Sequence, residues 1–190
     1  MDEALLTDPR FHRLLLGFDQ DLAAHAQSAG CLYCRGVLHS ARYGRKPRAL
    51  PAGLGEEFRR RLSFCCAVED CRKRKTPPSL RFLGRKVYAA TVVVLVSALR
   101  HGATPVRLRR LQELVGVSRR TVSRWHRWWR ETFVHTAFWQ AVRATLHAPV
   151  LAEALPASLL ERFAGDGATR LLSLLRFIGP LTGGTAVPAM

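Results

Sequence analysis

With 30 Lys and Arg residues against 14 Asp and Glu, the 190-residue chain carries a formal net charge of +16 at pH 7, while 48% of its residues are hydrophobic. The charge points to a polyanionic partner, and the hydrophobic content excludes disorder over most of the length. The Met1-Asp2-Glu3 start lacks a basic n-region and the most apolar stretch, Val87 to Leu99, is too short to span a bilayer, so a cytoplasmic, nucleoid-associated protein with no membrane partner is expected.

Thr7-Asp8-Pro9 reads as a helix start, an N-cap followed by a proline in the first turn. Phe11, Leu14, Leu15, Phe18 and Leu22 follow at helical spacing and Gly30 closes the segment, so residues 1–30 are assigned to an N-terminal helix. From Cys31 to about Pro78 the periodicity gives way to Gly, Pro and basic residues, and all five cysteines fall here. Such a stretch is too poor in apolar residues for a conventional core. In a reducing compartment disulfides are not expected, which leaves metal ligation or simple burial as reduced thiols.

Cys31-Leu32-Tyr33-Cys34 has the two-residue spacing that lets two thiolates wrap one ion, and Cys65, Cys66 and Cys71 supply a second knuckle some thirty residues later. Two knuckles so separated are the layout of a zinc ribbon, with a structural Zn2+ in a tetrahedral four-cysteine site over residues 31–80, although the second is spaced by four residues (from Cys66) or five (from Cys65) where two is usual. Cys31, Cys34, Cys66 and Cys71 are the expected ligands, with Cys65 turned to the opposite face of a short strand. Cys65 in place of Cys66 remains open, and His39 is a weaker candidate. Arg72-Lys73-Arg74-Lys75 would project from the ribbon's edge, either to touch phosphate or simply as a solvated charge run.

Residues 81–147 are expected to be helical. The Val-rich run Ala89 to Leu99 favours strands by its β-branched residues, but its length and neighbours favour a buried helix. Thr104-Pro105 starts a helix that ends at Gly116, and Ser118 caps the next. Gly116 sits where two helices meeting through a short turn need a left-handed backbone, and Leu111, Val115, Val117, Val122 and Trp125 fall where a helix-turn-helix buries its crossing. Gln112 stands where a small residue is usual. Ser118, Arg119, Arg120, Ser123, Arg124 and Arg127 then form the outward face of the second helix, for base edges in the major groove. Arg107, Arg109 and Arg110 on the first helix sit nearer phosphates. Trp125, Trp128, Trp129 and Trp139 are expected to pack a core, continued by Phe133.

Ala137 to Leu146 reads as another helix. Pro156 to Phe163 and Ala168 to Ile178 form a last pair, divided by Gly165-Asp166-Gly167, in a C-terminal extension over residues 148–180 that packs the domain or makes a homodimer. Residues 181–190 are expected to be a flexible tail. The fold class is therefore mainly α, with a small zinc ribbon of short β strands inserted after an N-terminal helix, then a helix-turn-helix domain and C-terminal helices.

The ribbon followed by a helix-turn-helix, Cys31 to Arg130, resembles the DNA-recognition region of bacterial insertion-sequence transposases. The chain is also similar to small transposon-associated proteins with paired cysteines and a third five residues on (Cys65 to Cys71), Pro77-Pro78-Ser79, Phe82-Leu83-Gly84-Arg85 and a Trp-rich helix-turn-helix. The resemblance implies a site-specific binder of double-stranded DNA, an accessory or regulatory protein of a mobile element, with a transposase as a possible partner. No catalytic residue is assigned: Glu131, Glu153, Glu161 and Asp166 follow the helix-turn-helix without a strand pattern to hold two metals, and no His-x-His pair occurs. A compact transposase or nuclease with an unrecognised site and an RNA-binding zinc-ribbon protein are the alternatives.

Overall fold

The computed structural model describes residues 3–41, 47–83, 88–98, 104–146 and 149–183. Helix α1 (Pro9–Ser28) starts as expected: the Asp8 carboxylate accepts the Arg10 N–H at 2.8 Å. Its buried stripe runs through Phe11, Leu15, Asp19, Ala23 and Ala26. Leu14, expected on that face, is 47% exposed, because a stripe stepping by four residues leaves it on the far edge. Gly30, at φ +69°, ends the helix segment in the left-handed region.

Three short strands follow around a one-turn helix α2 (Glu56–Arg59): β1 (Leu38–Ser40), β2 (Phe64–Cys66) and β3 (Arg74–Lys75). They form an antiparallel sheet in the order β1-β2-β3, with Leu38 opposite Cys66 and Phe64 opposite Lys75. The expectation that this region lacks an apolar core is corrected here. Leu38, Phe64, Cys31 and Cys66 bury themselves against Ala23 and Ala26 of α1. Part of that core comes from a segment distant in sequence, which composition of the cysteine region alone does not reveal.

Strands β4 (Phe82–Leu83) and β5 (Tyr88–Ala89) pair as a second small sheet and lead into α3 (Ala90–Ser97). Every residue of α3 is buried. It touches the N-terminal turn Glu3–Leu6, helix α5 (Arg119–Arg127) and helix α8 (Gly167–Ile178), and a helix surrounded in this way is apolar nearly all round, with Thr91 and Ser97 the exceptions. Between them lie α4 (Pro105–Val115), α6 (Ala137–Val142) and α7 (Ala157–Leu160). The last two are shorter than their sequence patterns, since a 3-10 turn takes over at Arg143–Thr145 and turns flank α7. One apolar cluster joins Leu6 and Leu15, the valines of α3, Leu111, Val122, Trp129, Phe133, Leu159, Leu171 and Ile178. The C-terminal helix thus packs the domain through Leu171, Leu174, Leu175 and Ile178.

Directly after α5 the chain makes a π-helical turn, Trp128–Thr132. Trp125, Trp129 and Phe133 are spaced by four residues, and each such step in an α-helix overshoots one turn by about 40°. The wider π turn takes back part of that drift, so all three stay inside, joined by Trp139. Their rings pack obliquely, with centroids 4.9 Å apart for Trp129–Phe133 and 5.0 Å for Phe133–Trp139. Trp128 is half-buried at the cluster's rim.

A buried polar strap crosses the apolar interior. Asp19 of α1 accepts from the Leu80 amide at 2.7 Å, from the Ser79 hydroxyl and from Arg81 Nε at 2.9 Å. Arg81 also donates to the carbonyls of Phe58 at 3.0 Å and Arg60 at 2.8 Å, tying α1, α2 and β4 together. Thr182, assigned to the tail, is bound to the Ser79 backbone, accepting its N–H at 2.6 Å. Among the described residues no helix is long and apolar enough to cross a membrane.

Candidate functional sites: a four-cysteine centre and a basic helix face

The structure brings Cys31, Cys34, Cys66 and Cys71 together, with all four Sγ atoms within 4.8 Å of one another. Cys31 and Cys71 are 3.7 Å apart and Cys34 and Cys66 3.4 Å, each pair taking one sulfur from each knuckle. Metal–sulfur bonds of about 2.3 Å in a tetrahedron require sulfurs about 3.8 Å apart, so the arrangement fits one ion. These distances far exceed an S–S bond, and all five cysteines are free. Cys65, beside Cys66 on β2, points the other way, toward the Arg72 carbonyl at 3.5 Å. His39 is paired with Cys65 across the β1–β2 ladder, and neither joins the cluster. The alternation of a strand settles the choice between adjacent cysteines.

Backbone N–H groups converge on the sulfurs. The amides of Cys34 and Tyr33 point at Cys31, that of Gly36 at Cys34, that of Val68 at Cys66 and that of Lys73 at Cys71. Every sulfur therefore has the amide two residues on as a donor, which suits thiolates far better than neutral thiols. These donors pull the Cys31 thiol down to about 6, whereas burial pushes that of Cys66 up, and neighbouring sulfurs together with burial leave those of Cys34 and Cys71 raised despite their amide donors. The two knuckles match in outline. Cys31 N–H donates to the Gly36 carbonyl and Cys66 N–H to the Lys73 carbonyl, both at 2.9 Å. The residue after each second cysteine, Arg35 at φ +60° and Arg72 at φ +43°, is left-handed. At Gly36 an added Cβ would fall 2.5 Å from Val68 Cγ2 and 3.3–3.4 Å from the sulfurs of Cys34 and Cys66, so the position is small for lack of space. Four thiolates complete a tetrahedral shell with no position open to substrate, the pattern of a structural centre.

The basic run beyond the second knuckle does not project uniformly. Arg72 and Arg74 are exposed, but Lys75 turns inward and its ammonium caps α1 through the carbonyls of Ala26 at 3.1 Å and Gly30 at 3.3 Å. Lys73 lies over the Tyr33 ring, 5.6 Å from its centroid.

Helices α4 and α5 meet through Gly116, which is left-handed at φ +66°. Leu111, Val115, Val117, Val122 and Trp125 are all buried. Gln112 is exposed and does not enter the crossing. Ser118 caps α5, its Oγ accepting the Thr121 N–H at 3.4 Å. Arg119, Arg120, Ser123, Arg124 and Arg127 are exposed on the outer side of α5, and Arg109 and Arg110 are exposed on α4; the side chain of Arg107 lies outside the described residues. Arg124 and Arg127 are engaged within the chain. Arg124 Nη2 donates to the Tyr88 hydroxyl at 3.2 Å and to Thr121 Oγ1 at 3.3 Å, and Arg127 pairs with Glu131 at 3.9 Å.

Four supporting residues carry no local signal in the sequence. Tyr88 bridges to Arg48 and is set by β5 against Trp125 of α5, a contact that no local spacing announces. Gly36 gave no spacing signal of its own. The Asp19–Arg81 pair joins residues 62 apart in sequence, and only the unusual burial of an acid on an apolar helix stripe hints at it. Searches against protein-family models, curated proteins and solved structures find no match to this chain.

Proposed function

We propose that the protein binds double-stranded DNA site-specifically, with α4 and α5 as a helix-turn-helix and α5 in the major groove. The observation that carries this reading is the division of α5 into two faces. Val122 and Trp125 are buried, while Arg119, Arg120, Ser123, Arg124 and Arg127 are exposed together. Arginines at the N-terminal end of such a helix reach guanine O6 and N7 by two parallel hydrogen bonds. The net charge of +16 supplies long-range attraction to the duplex, and Arg109 and Arg110 suit phosphate contact.

The four-cysteine centre is assigned as a structural Zn2+ site, because four soft thiolates in a tetrahedron favour that ion, and the three strands around it make a zinc ribbon. Its work is to hold a module whose apolar core is small. The order of ribbon and helix-turn-helix, and the Pro77-Pro78-Ser79 segment, support a role as an accessory or regulatory protein of a bacterial mobile element. The test is selection of bound duplexes from a random library by the zinc-loaded chain. Enrichment of one motif is expected, and a library left unenriched despite tight binding removes the proposal.

A further inference from the structure

We infer that the tip of the cysteine knuckles is a contact surface for a second copy of this chain. Among the described residues, seven large hydrophobic side chains are exposed, and four of them stand on the knuckles: Leu32 at 53%, Tyr33 at 70%, Val37 at 68% and Val68 at 42%. Val68 overlies Gly36 between the knuckles, and the Val37 carbonyl accepts the Ala67 N–H at 2.9 Å, so the two loops present these side chains as one patch beside exposed Cys34. The remaining three lie on separate elements, Leu14 on α1, Val106 on α4 and Leu151 ahead of α7. An apolar centre of aliphatic and tyrosine side chains with arginines at its margin has the composition of a protein interface.

Charge identifies the partner. A chain of +16 repels its own copies over most of its surface. At the tip, Arg35, Arg72, Lys73 and Arg74 are offset by Glu69 and Asp70 and by the two negative charges that four thiolates leave on a divalent ion. The tip is therefore close to neutral, which disfavours a polyanion there and allows two basic chains to approach. Acidic Glu69 and Asp70 on one knuckle and Arg35 on the other make the surface self-complementary across a two-fold axis. The C-terminal helix, the other candidate for dimerisation, has its apolar face buried in its own core. Four side chains cover much less than the roughly 800 Å² per partner of a standard interface, so the association is weak, on the order of 10–100 μM, and serves to pair copies already bound side by side.

The inference rests on the metal reading, and one experiment separates the two. Nuclease-treated, full-length protein is sedimented from 5 to about 300 μM, with zinc content measured on the same samples. A monomer–dimer equilibrium is expected at moderate salt, where the repulsion between the chains is screened. Tyr33→Ser with Val37→Ser should weaken it at least tenfold at unchanged zinc content, and Leu14→Ser should leave it as it is. A variant that loses zinc is replaced by Leu32→Lys, for which the same loss is expected. A chain monomeric at every concentration, or a dimer indifferent to the tip variants, overturns the inference, and the zinc content shows whether the metal reading fell with it. Tyr33-dependent binding of a single-stranded oligothymidylate by a monomer also overturns it, reassigning the tip to base stacking.

Discussion

Tyr88 and Arg124 are joined by a 3.2 Å hydrogen bond in which the guanidinium donates to the phenol oxygen, and the Tyr88 ring packs edge-on against Trp125 with centroids 5.4 Å apart. The tyrosine is thus fixed by the core and in turn fixes an arginine on the exposed face of α5. An arginine held in this way gives up less side-chain freedom on binding a base. Tyr88→Phe keeps the ring contact and removes the acceptor. It is expected to weaken binding to the selected site about three- to tenfold, in line with one lost hydrogen bond of about 1 kcal/mol, with random duplex unaffected. Fluorescence anisotropy on both duplexes measures this; equal losses on the two would reduce Arg124 to a phosphate contact.

Metal content distinguishes the adjacent cysteines. Cys65→Ser should retain about one zinc per chain, whereas Cys66→Ser should lose it and unfold the β1-β2-β3 module. Gly36→Ala should lower metal affinity about tenfold or more, because its Cβ crowds Val68 and two ligand sulfurs. Adding Val68→Ala removes the closest contact and should restore part of the affinity. Competition with a chromophoric chelator reads all four variants, and zinc retained by Cys66→Ser would contradict the ligand assignment.

The buried strap gives a stability prediction. Asp19→Ala leaves Arg81 charged, 4% exposed and without its carboxylate. The expected cost is about 3–5 kcal/mol in urea unfolding, more than an ordinary polar substitution. The double variant Asp19→Ala with Arg81→Met should recover part of the loss, since removing both charges relieves the desolvation. A loss under 1 kcal/mol for Asp19→Ala would show that the strap contributes no net stability.

Histidine burial sets an acid dependence. Burial holds His12 below the usual range, partly opposed by its hydrogen bond to the Leu6 carbonyl at 2.9 Å, and burial followed by the Arg130 charge lowers His126. The unfolded chain then binds more protons than the folded one below pH of about 6.5, so stability is full above that value and falls as pH drops toward the depressed folded values. Thermal unfolding between pH 7 and pH 5 should show this decline, and His12→Gln should flatten it. Because thiolate protonation also releases metal at low pH, zinc retention is followed in parallel. An unchanged slope in His12→Gln would remove His12 from the account.

Much of this architecture is legible in the sequence where a local rule suffices. Asp8-Pro9 and Ser118 mark helix starts, Gly116 marks the turn, and the spacing of Leu111, Val115, Val122 and Trp125 separates the buried from the exposed face. The four converging cysteines follow from knuckle spacing and strand alternation. What escapes depends on contacts distant in sequence: Asp19 finding Arg81, Lys75 capping α1, Tyr88 reaching Arg124, and α1 alanines completing the core beneath the knuckles. The π turn after α5 is similarly hidden, because only the demand to keep Trp129 and Phe133 both inside calls for it.

The claim that α5 reads DNA sequence is tested most directly by Arg119→Ala and Arg120→Ala on the selected duplex and on random duplex at one salt concentration. A loss of about 1–3 kcal/mol on the selected site is expected for each variant that removes a base contact, with a smaller loss on random DNA and relaxed preference at a single base pair. Equal losses on both duplexes with no change in preference would contradict it and leave α5 as a charged surface that binds any duplex.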